Sequence, residues 1–306
     1  MRHFLSITDF SAKEIWQVLR LAKKYKLQLK KGKYQSQLKG KNMVMIFEKA
    51  SLRTKLSFDI AMSQLGGHPI YFGVEEIGLR KRESVPDIAG VISSMADVLV
   101  ARVFDHQSLE ELAENSTIPV INALSDVEHP CQALADFLTI WEIKGELAGL
   151  TLAYIGDGEN NIAHSLALGC AMLGVNFAYA SPKGYLINPE ITKRIKELLI
   201  KSGSTFFATT DPKQAIGLAD VVYTDTWVSM GEEREFKKRL KAFRKYQVDQ
   251  KLMSQAKKNA IFMHDMPARR GMEVTSAVID GTQSVIFQQA ENRLHAQKAL
   301  IVYLLR

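Results

Sequence analysis

Cysteine is scarce in this sequence, with Cys131 and Cys170 the only two among 306 residues. Two cysteines are too few for the disulfide framework of a small secreted protein, and they are typical of a reducing compartment. Long apolar runs are also lacking, so no segment reaches the roughly 20 residues that cross a bilayer as a helix. Residues 1–6 lack the apolar core of a signal peptide. We therefore expect a cytoplasmic chain of enzyme size with no membrane partner.

The chain also lacks a long block of one charge sign. Its formal net charge is +7, from 40 Lys and Arg against 33 Asp and Glu. Two local basic clusters, residues 23–33 and 234–245, are interleaved with apolar residues and are typical of solvated helix faces. This distribution argues against a nucleic-acid partner, while the modest basic excess suits a small anionic substrate.

Residues 47–58 are the most informative stretch of the sequence. They follow an apolar run that indicates a buried strand, residues 42–47, and they lead into apolar positions at helical spacing. Ser51, Arg53 and Thr54 thus lie where a strand passes into a helix, and the free N–H groups there favour an anion. Their hydroxyl and guanidinium donors fit phosphate oxygens. The same spacing is also explained by Ser51 as a plain N-cap with Arg53 in solvent.

Strand and helix patterns alternate along the whole chain. This alternation predicts an α/β protein with two domains, each a parallel β-sheet flanked by helices. The helical pattern breaks at residues 145–149, so we place the domains at 1–146 and 147–289. We expect the C-terminal helix, 290–306, to pack back on the first domain. Residues 75–86 are polar and contain glycine, which predicts a mobile loop.

The apolar patterns also predict the bounds of the individual strands and helices. Strands are expected at residues 42–47, 68–72, 98–103, 119–123, 151–155, 176–180, 204–208, 221–224 and 260–264. Helices are expected at residues 11–31, 87–95, 108–115, 130–144, 160–173, 189–202 and 290–305, besides the helix that follows Ser51.

Groups that bind ligands follow several of the predicted strands. Arg102 lies near the end of one strand, and His129 follows another after a short loop. Residues 156–158, 225 and 264–265 each follow a strand of the second series. Because ligands bind at the carboxyl edge of open parallel sheets, these groups indicate an active-site cleft between the two domains.

Five motifs in register resemble the aspartate/ornithine carbamoyltransferase family, and within it the ornithine carbamoyltransferases. The motifs are Phe47-Glu48-Lys49-Ala50-Ser51-Leu52-Arg53-Thr54, Arg102 with His106, His129-Pro130-Cys131-Gln132, Asp225-Thr226-Trp227-Val228-Ser229-Met230-Gly231 and His264-Asp265-Met266-Pro267. With residues 291–293, the resemblance covers nearly the whole chain. The fourth motif points to ornithine rather than aspartate or putrescine as acceptor.

The resemblance implies a reaction and an assembly. A carbamoyl group would pass from carbamoyl phosphate to the side-chain amine of L-ornithine, giving L-citrulline and phosphate. Carbamoyl phosphate would bind in the first domain and ornithine in the second, with the domains closing over both. The resemblance further implies a homotrimer with active sites at subunit interfaces, and no metal or organic cofactor.

By matching position, the resemblance also implies the site residues. Carbamoyl phosphate would be held by Ser51, Leu52, Arg53, Thr54, Arg102, His129, Pro130, Cys131 and Gln132. Ornithine would be held by Asn161, Asp225, Ser229 and Met230, while Asp265, Met266 and Arg293 would complete the site. The expected catalytic residues are Arg102, His129, Asp225 and Asp265. Arg102, His129 and Thr54 would donate to the carbonyl oxygen as charge develops on it.

The sequence departs from the family pattern in the carbamoyl phosphate half at two places. Leu52 replaces the usual threonine, which removes one hydroxyl contact worth about 0.5–1.5 kcal/mol net. Gly78 replaces the glutamine that reaches carbamoyl phosphate, and we expect Lys81 or a neighbour to compensate as a cation. In the ornithine half, Glu159 is an extra residue relative to some members, so Asn161 rather than Asn160 is the match.

The fourth departure is Asp265, which stands where the family has cysteine. A second carboxylate near Asp225 would bind an ammonium group more strongly and would keep it protonated, which slows its attack. The resulting hypothesis is a more alkaline pH optimum than in cysteine-bearing relatives, unless Asp265 points away and only its backbone carbonyl matters. Two functional alternatives stay open: a carbamoyltransferase with another amine acceptor, and a non-catalytic relative that binds ligand without turnover.

Overall fold

The computed structural model describes residues 1–34, 36–80, 82–228, 231 and 233–306. These residues divide into two compact units, one of residues 1–138 with 291–306 and the other of residues 139–290. Each unit is built on one parallel β-sheet. Among the described helices, none has both the length and the apolar content needed to cross a membrane.

The first unit contains a four-stranded sheet in the order β2-β1-β3-β4. Its strands are β1 (Asn42–Phe47), β2 (His68–Phe72), β3 (Val98–Arg102) and β4 (Val120–Leu124). The helices that begin in this unit are α1 (Ala12–Lys30), α2 (Leu52–Gln64), α3 (Val74–Ile77), α4 (Val85–Met95), α5 (His106–Glu114) and α6 (Pro130–Lys144). Strands β3 and β4 are buried at every position, as expected for parallel strands covered on both faces.

The second unit contains a five-stranded sheet in the order β7-β6-β5-β8-β9. Its strands are β5 (Thr151–Ile155), β6 (Asn176–Ala180), β7 (Phe206–Thr209), β8 (Val221–Tyr223) and β9 (Ile261–Met263). The helices that follow are α7 (Asn161–Leu173), α8 (Pro189–Ser202), α9 (Pro212–Ile216), α10 (Phe236–Phe243), α11 (Gln250–Met253), α12 (Ser276–Ile279) and α13 (Ile286–Leu304).

The C-terminal helix returns to the first unit, which confirms the prediction from the sequence. Residues 291–306 of the chain belong to that unit. The ammonium group of Lys26, on α1, donates a hydrogen bond of 2.6 Å to the Asn292 side chain, and both residues are buried. The predicted α/β class with two parallel sheets flanked by helices is likewise confirmed.

The prediction of a loop over residues 75–86 is wrong at both of its ends. Residues 74–77 form the short helix α3, in which the Glu76 carboxylate accepts a hydrogen bond of 2.7 Å from the Gly73 N–H. Helix α4 begins at Val85, because Ser84 caps it and Pro86 fits its first turn. A helix of four residues is too short to show helical periodicity in a sequence, so α3 could not be detected there.

Candidate active site

The passage from β1 to α2 has the geometry that the sequence predicts. Ser51 is the N-cap of α2, and its hydroxyl accepts a hydrogen bond of 3.4 Å from the Thr54 N–H. Leu52 lies beside it with 75% of its surface exposed. Arg53 occupies the first turn, and its buried Nε has no hydrogen-bond partner among the described residues. The start of α2 therefore combines the positive end of a helix with an open guanidinium donor.

The Thr54 hydroxyl is the meeting point of the first unit's site. It accepts hydrogen bonds from Arg293 Nη2 on α13 at 2.6 Å, Ser51 Oγ at 3.0 Å and Arg102 Nη1 at 3.5 Å. A hydroxyl has two acceptor lone pairs and one proton. Because donors already fill its acceptor side, the Thr54 O–H is the part of the group left to donate to a ligand.

The start of α6 adds His129 and Gln132 to the same place. Arg293 Nη1 donates to Gln132 Oε1, and Gln132 Nε2 donates to Asp136 Oδ1 at 2.8 Å. Burial lowers the pKa of His129 well below its usual value, and the positive charges of Arg293 and Arg102 lower it further. His129 is therefore a neutral imidazole at physiological pH, with one ring N–H to donate.

Two other predicted residues of α6 face the protein interior. Cys131 is 1% exposed, and its thiol donates to the Asn122 carbonyl of β4 at a donor–acceptor distance of 3.2 Å. Burial raises the pKa of this thiol far above its usual range, so it stays protonated. Pro130 is the first residue of the helix, where the missing N–H costs nothing.

The second unit places Asp225 directly after β8. Asp225 is buried, with Oδ2 accepting 2.7 Å from Asn160 Nδ2 and Oδ1 accepting 2.6 Å from the Thr226 N–H. Asn160 also caps α7, since its Oδ1 accepts from the Ile162 N–H at 2.8 Å. The carboxylate of Asp225 is thus fixed from two sides before any ligand arrives.

The loop after β9 brings a second carboxyl group to Asp225. One carboxylate oxygen each of Asp225 and Asp265 and one ring nitrogen of His264 all lie within 4.8 Å of one another. His264 Nδ1 lies 3.5 Å from Asp265 Oδ1 and accepts a hydrogen bond of 2.9 Å from the Met266 N–H. The Met266 backbone has a φ of 64°, and its side chain packs on the core of the second unit.

The electrostatics of this carboxyl pair favour a cationic ligand. Burial raises the pKa of Asp225 well above its usual value, and the nearby Asp265 carboxylate raises it further. An ammonium group between the two carboxylates would relieve both effects. A divalent cation also suits carboxylate and imidazole donors. However, His264 Nδ1 already accepts the Met266 N–H, which occupies the lone pair that a metal ion would need.

Comparison with known proteins gives two matching family models. The model for "Aspartate/ornithine carbamoyltransferase, carbamoyl-P binding domain" matches residues 2–142. The model for "Aspartate/ornithine carbamoyltransferase, Asp/Orn binding domain" matches residues 148–304. The chain belongs to the aspartate/ornithine carbamoyltransferase family. The resemblance inferred from the five sequence motifs is therefore confirmed.

Relatives within the aspartate/ornithine carbamoyltransferase family are similar over their full length. An ornithine carbamoyltransferase of Anoxybacillus flavithermus is 50% identical, over 99% of this chain and 96% of that one. An anabolic ornithine carbamoyltransferase of Pyrococcus furiosus is 47% identical, over 98% and 95%. The solved structure of the ornithine carbamoyltransferase from Pyrococcus furiosus matches with a TM-score of 0.97, 47% identity and coverage of 99% and 97%.

The structure groups most of the residues that the family resemblance assigned. Ser51, Thr54, Arg102, Gln132 and Arg293 form one hydrogen-bonded set with the start of α2. In the second unit, Asp225 and Asp265 lie together. The predicted ornithine residues Ser229 and Met230, and Lys81 as a compensating cation, lie outside the described residues.

The sequence did not reveal one contact of Asp225, a residue predicted to hold ornithine. The sequence favoured Asn161 as the family match, and Asn161 is the first residue of α7. The amide that reaches Asp225 belongs to Asn160, the N-cap of the same helix. An asparagine directly before an apolar helical pattern is a recognisable N-cap signal. The signal does not reveal what the amide nitrogen of that side chain contacts.

Proposed function

We propose that this protein transfers the carbamoyl group of carbamoyl phosphate to the side-chain amine of L-ornithine, giving L-citrulline and phosphate. The observation that carries the proposal is the convergence of Arg102 and Arg293 on the Thr54 hydroxyl, in the first turn of a helix. Two cations, a hydroxyl and a helix start form a site for a dianionic phosphate with an adjoining carbonyl. The relatives at 45–50% identity, all named ornithine carbamoyltransferases, support the same reaction.

In this proposal the first unit binds carbamoyl phosphate. The N–H groups of the first turn of α2 and the open Nε of Arg53 receive the phosphate oxygens. Leu52 contributes its backbone N–H, since its side chain is exposed. Pro130 and Cys131 contribute through the backbone of the α6 start, because the Cys131 thiol is directed at β4.

The carbonyl oxygen of carbamoyl phosphate gains negative charge as the amine attacks. The Thr54 O–H, the Arg102 guanidinium and the neutral His129 ring N–H are the donors proposed for this oxygen. Carbamoyl phosphate is already a reactive mixed anhydride, so the chemistry needs no covalent nucleophile. The amine nitrogen bonds to the carbonyl carbon, and the donors stabilise the resulting tetrahedral intermediate. The phosphate then leaves with the electron pair of the broken C–O bond and takes up the proton that the amine nitrogen gives up.

In this proposal the second unit binds ornithine. Asp225, held by Asn160 and Thr226, orients the side-chain amine, and Asp265 adds a second carboxylate beside it. Further contacts to ornithine are proposed for Asn161, Ser229 and Met230. Met266 is proposed to complete the site. The amine must lose a proton before it attacks, so the carboxyl pair also sets how much of it is reactive at a given pH.

We further propose a homotrimer in the cytoplasm. Helices α2 and α4 each expose two large apolar side chains one turn apart, Leu52 with Leu56 and Val91 with Met95. This exposed apolar surface is available for a contact with another subunit. The free, buried thiols of Cys131 and Cys170 suit a reducing compartment. Size-exclusion chromatography with light scattering measures the number of subunits, and a monomer would contradict the proposed trimer.

The test of the reaction is product formation from carbamoyl phosphate with a panel of acceptors. The panel is ornithine, putrescine, N-acetylornithine, lysine and aspartate. Turnover with ornithine and much slower turnover with the others is the expected result. No turnover with any acceptor, in protein that still binds phosphate, would favour the non-catalytic relative.

A second candidate function is transfer to a different amine, and Asp265 is the observation that favours it. A carboxyl pair carries more negative charge than a single aspartate, so it would favour an acceptor with more positive charge. Preferred turnover of another acceptor in the same panel would replace ornithine in the proposal and would make Asp265 a specificity residue.

A further inference from the structure

The turn after β5 contains a buried ion pair that the proposed chemistry does not use. Arg239 Nη1, on α10, donates a hydrogen bond of 2.5 Å to Asp157 Oδ2. The side chains of Arg239 and Asp157 are 5% and 3% exposed. Asp157 is also fixed within its turn, because its Oδ1 accepts from the Glu159 N–H at 3.0 Å.

The Arg239 guanidinium also holds the chain that comes before α10. Its Nη1 donates to the Trp227 carbonyl at 3.3 Å, and its Nε donates to Glu235 Oε2 at 3.3 Å. The guanidinium carbon lies 5.0 Å from the ring centre of Tyr185, within the range of a cation–π contact. One side chain thus joins Asp157, the backbone at Trp227 and the beginning of α10.

The same turn is bonded to the chain at Asp225. Asn160 follows Asp157 by three positions, and its Nδ2 donates to Asp225 Oδ2 at 2.7 Å. The segment from Asp225 to Arg239 is therefore tied to the turn after β5 at both of its ends. Ser229 and Met230, the proposed ornithine contacts, lie in sequence between those two attachments.

A buried ion pair is a weak source of net stability, because desolvation of the two charges offsets much of their attraction. Its geometric effect is stronger, since a planar guanidinium fixes the direction of several acceptors at once. We propose that the Asp157–Arg239 pair is a positioning device for ornithine binding, because it fixes the backbone at Trp227, two residues beyond Asp225, against the turn that carries Asn160. This inference rests on the proposed ornithine carbamoyltransferase activity.

The experiment compares the variants Arg239→Lys and Arg239→Gln with the wild type in steady-state kinetics. Lysine keeps the charge but has one side-chain nitrogen, which cannot make both the Nη1 contacts to Asp157 and Trp227 and the Nε contact to Glu235. We expect the KM for ornithine to rise roughly 10- to 100-fold in both variants, as for other small displacements of binding groups. The KM for carbamoyl phosphate and the Kd for inorganic phosphate should stay within about twofold of the wild type.

The matched control is Lys257→Gln, which breaks another ion pair of the same unit. Lys257 Nζ lies 2.8 Å from Asp220 Oδ2, and neither residue contacts the segment 225–239 in the described hydrogen bonds. We expect unchanged kinetic constants for both substrates in the control. An equal rise of the ornithine KM in the control would overturn the inference, because general loosening of the unit would then suffice.

Three further outcomes decide the inference. An unchanged ornithine KM in folded Arg239→Lys overturns it, whether or not Arg239→Gln folds. Equal increases in the KM of ornithine and carbamoyl phosphate also overturn it, because a positioning role predicts an effect on one substrate. A wild type without ornithine turnover overturns the proposed function and this inference together, whereas a fully active wild type with unaffected variants overturns the inference alone.

Discussion

Arg293 and Thr54, which are 239 positions apart in the chain, are joined by a hydrogen bond of 2.6 Å between a guanidinium nitrogen and a hydroxyl oxygen. Both residues are buried in the first unit. The bond connects the C-terminal helix α13 to the first turn of α2. It also orients the Thr54 hydroxyl, so that its proton is available for a ligand at the helix start.

The first prediction concerns the Thr54 hydroxyl. Thr54→Val keeps the shape of the side chain and removes the donor proposed for the carbonyl oxygen. Loss of one such donor typically lowers kcat by about 100-fold or more. Steady-state kinetics with saturating ornithine measure the effect. Thr54→Ser, which keeps the hydroxyl, is the control and should retain most of the activity; a Thr54→Val enzyme as active as Thr54→Ser would contradict the role.

The second prediction concerns the pH dependence of the reaction. In the proposed reaction the Asp265 carboxylate, which lies beside Asp225, would stabilise the protonated amine of ornithine, so wild-type activity should require a higher pH than that of a cysteine variant. In Asp265→Cys the acidic limb of the plot of kcat against pH should move to lower pH by about one unit. This shift corresponds to a loss of roughly 1.4 kcal/mol in the stabilisation of the protonated amine. Superimposable profiles would show that Asp265 does not face the amine.

The third prediction concerns stability. Because burial and then Asp265 raise the pKa of Asp225, the folded state binds a proton more tightly than the unfolded chain. The free energy of unfolding therefore falls as pH rises through the raised pKa. Asp265→Asn removes the neighbouring charge and should raise Tm at pH 7–8 by about 2–4 °C, the shift for ~1 kcal/mol in a domain of this size.

Thermal unfolding at several pH values tests this third prediction. The gain from Asp265→Asn should shrink towards pH 4, where the wild-type pair holds its proton and the repulsion is already relieved. A gain in Tm that is the same at every pH would mean that relief of the repulsion between Asp225 and Asp265 is not its cause. A loss of stability at pH 8 would mean that the two carboxyl groups do not repel each other in the folded protein.

The fourth prediction separates the two neighbouring asparagines. Asn160→Ser keeps an N-cap for α7 but loses the amide that donates to Asp225. We expect the KM for ornithine to rise about tenfold, which corresponds to ~1.4 kcal/mol. The matched variant is Asn161→Ser, which tests the contact proposed for Asn161 itself. An ornithine KM that responds to Asn161→Ser and not to Asn160→Ser would show that the amide of Asn160 is dispensable.

The sequence predicts the long elements of this fold well, because their patterns are strong locally. The helix expected at residues 11–31 forms as Ala12–Lys30, with Ser11 and Glu14 making the reciprocal capping bonds at its start. The strand expected at residues 176–180 forms with those bounds. Helix α3 was not predicted, since a helix of four residues leaves no periodic signal in the sequence.

The sequence by itself determined the family, the two parallel sheets and the helix start at Ser51, because each depends on motifs or on patterns of neighbouring residues. Only the tertiary structure decided which side chains meet. It placed Arg293 on Thr54, Asn160 on Asp225 and Arg239 on Asp157. These contacts join residues from separate elements, and their geometry depends on how helices and strands pack rather than on spacing along the chain.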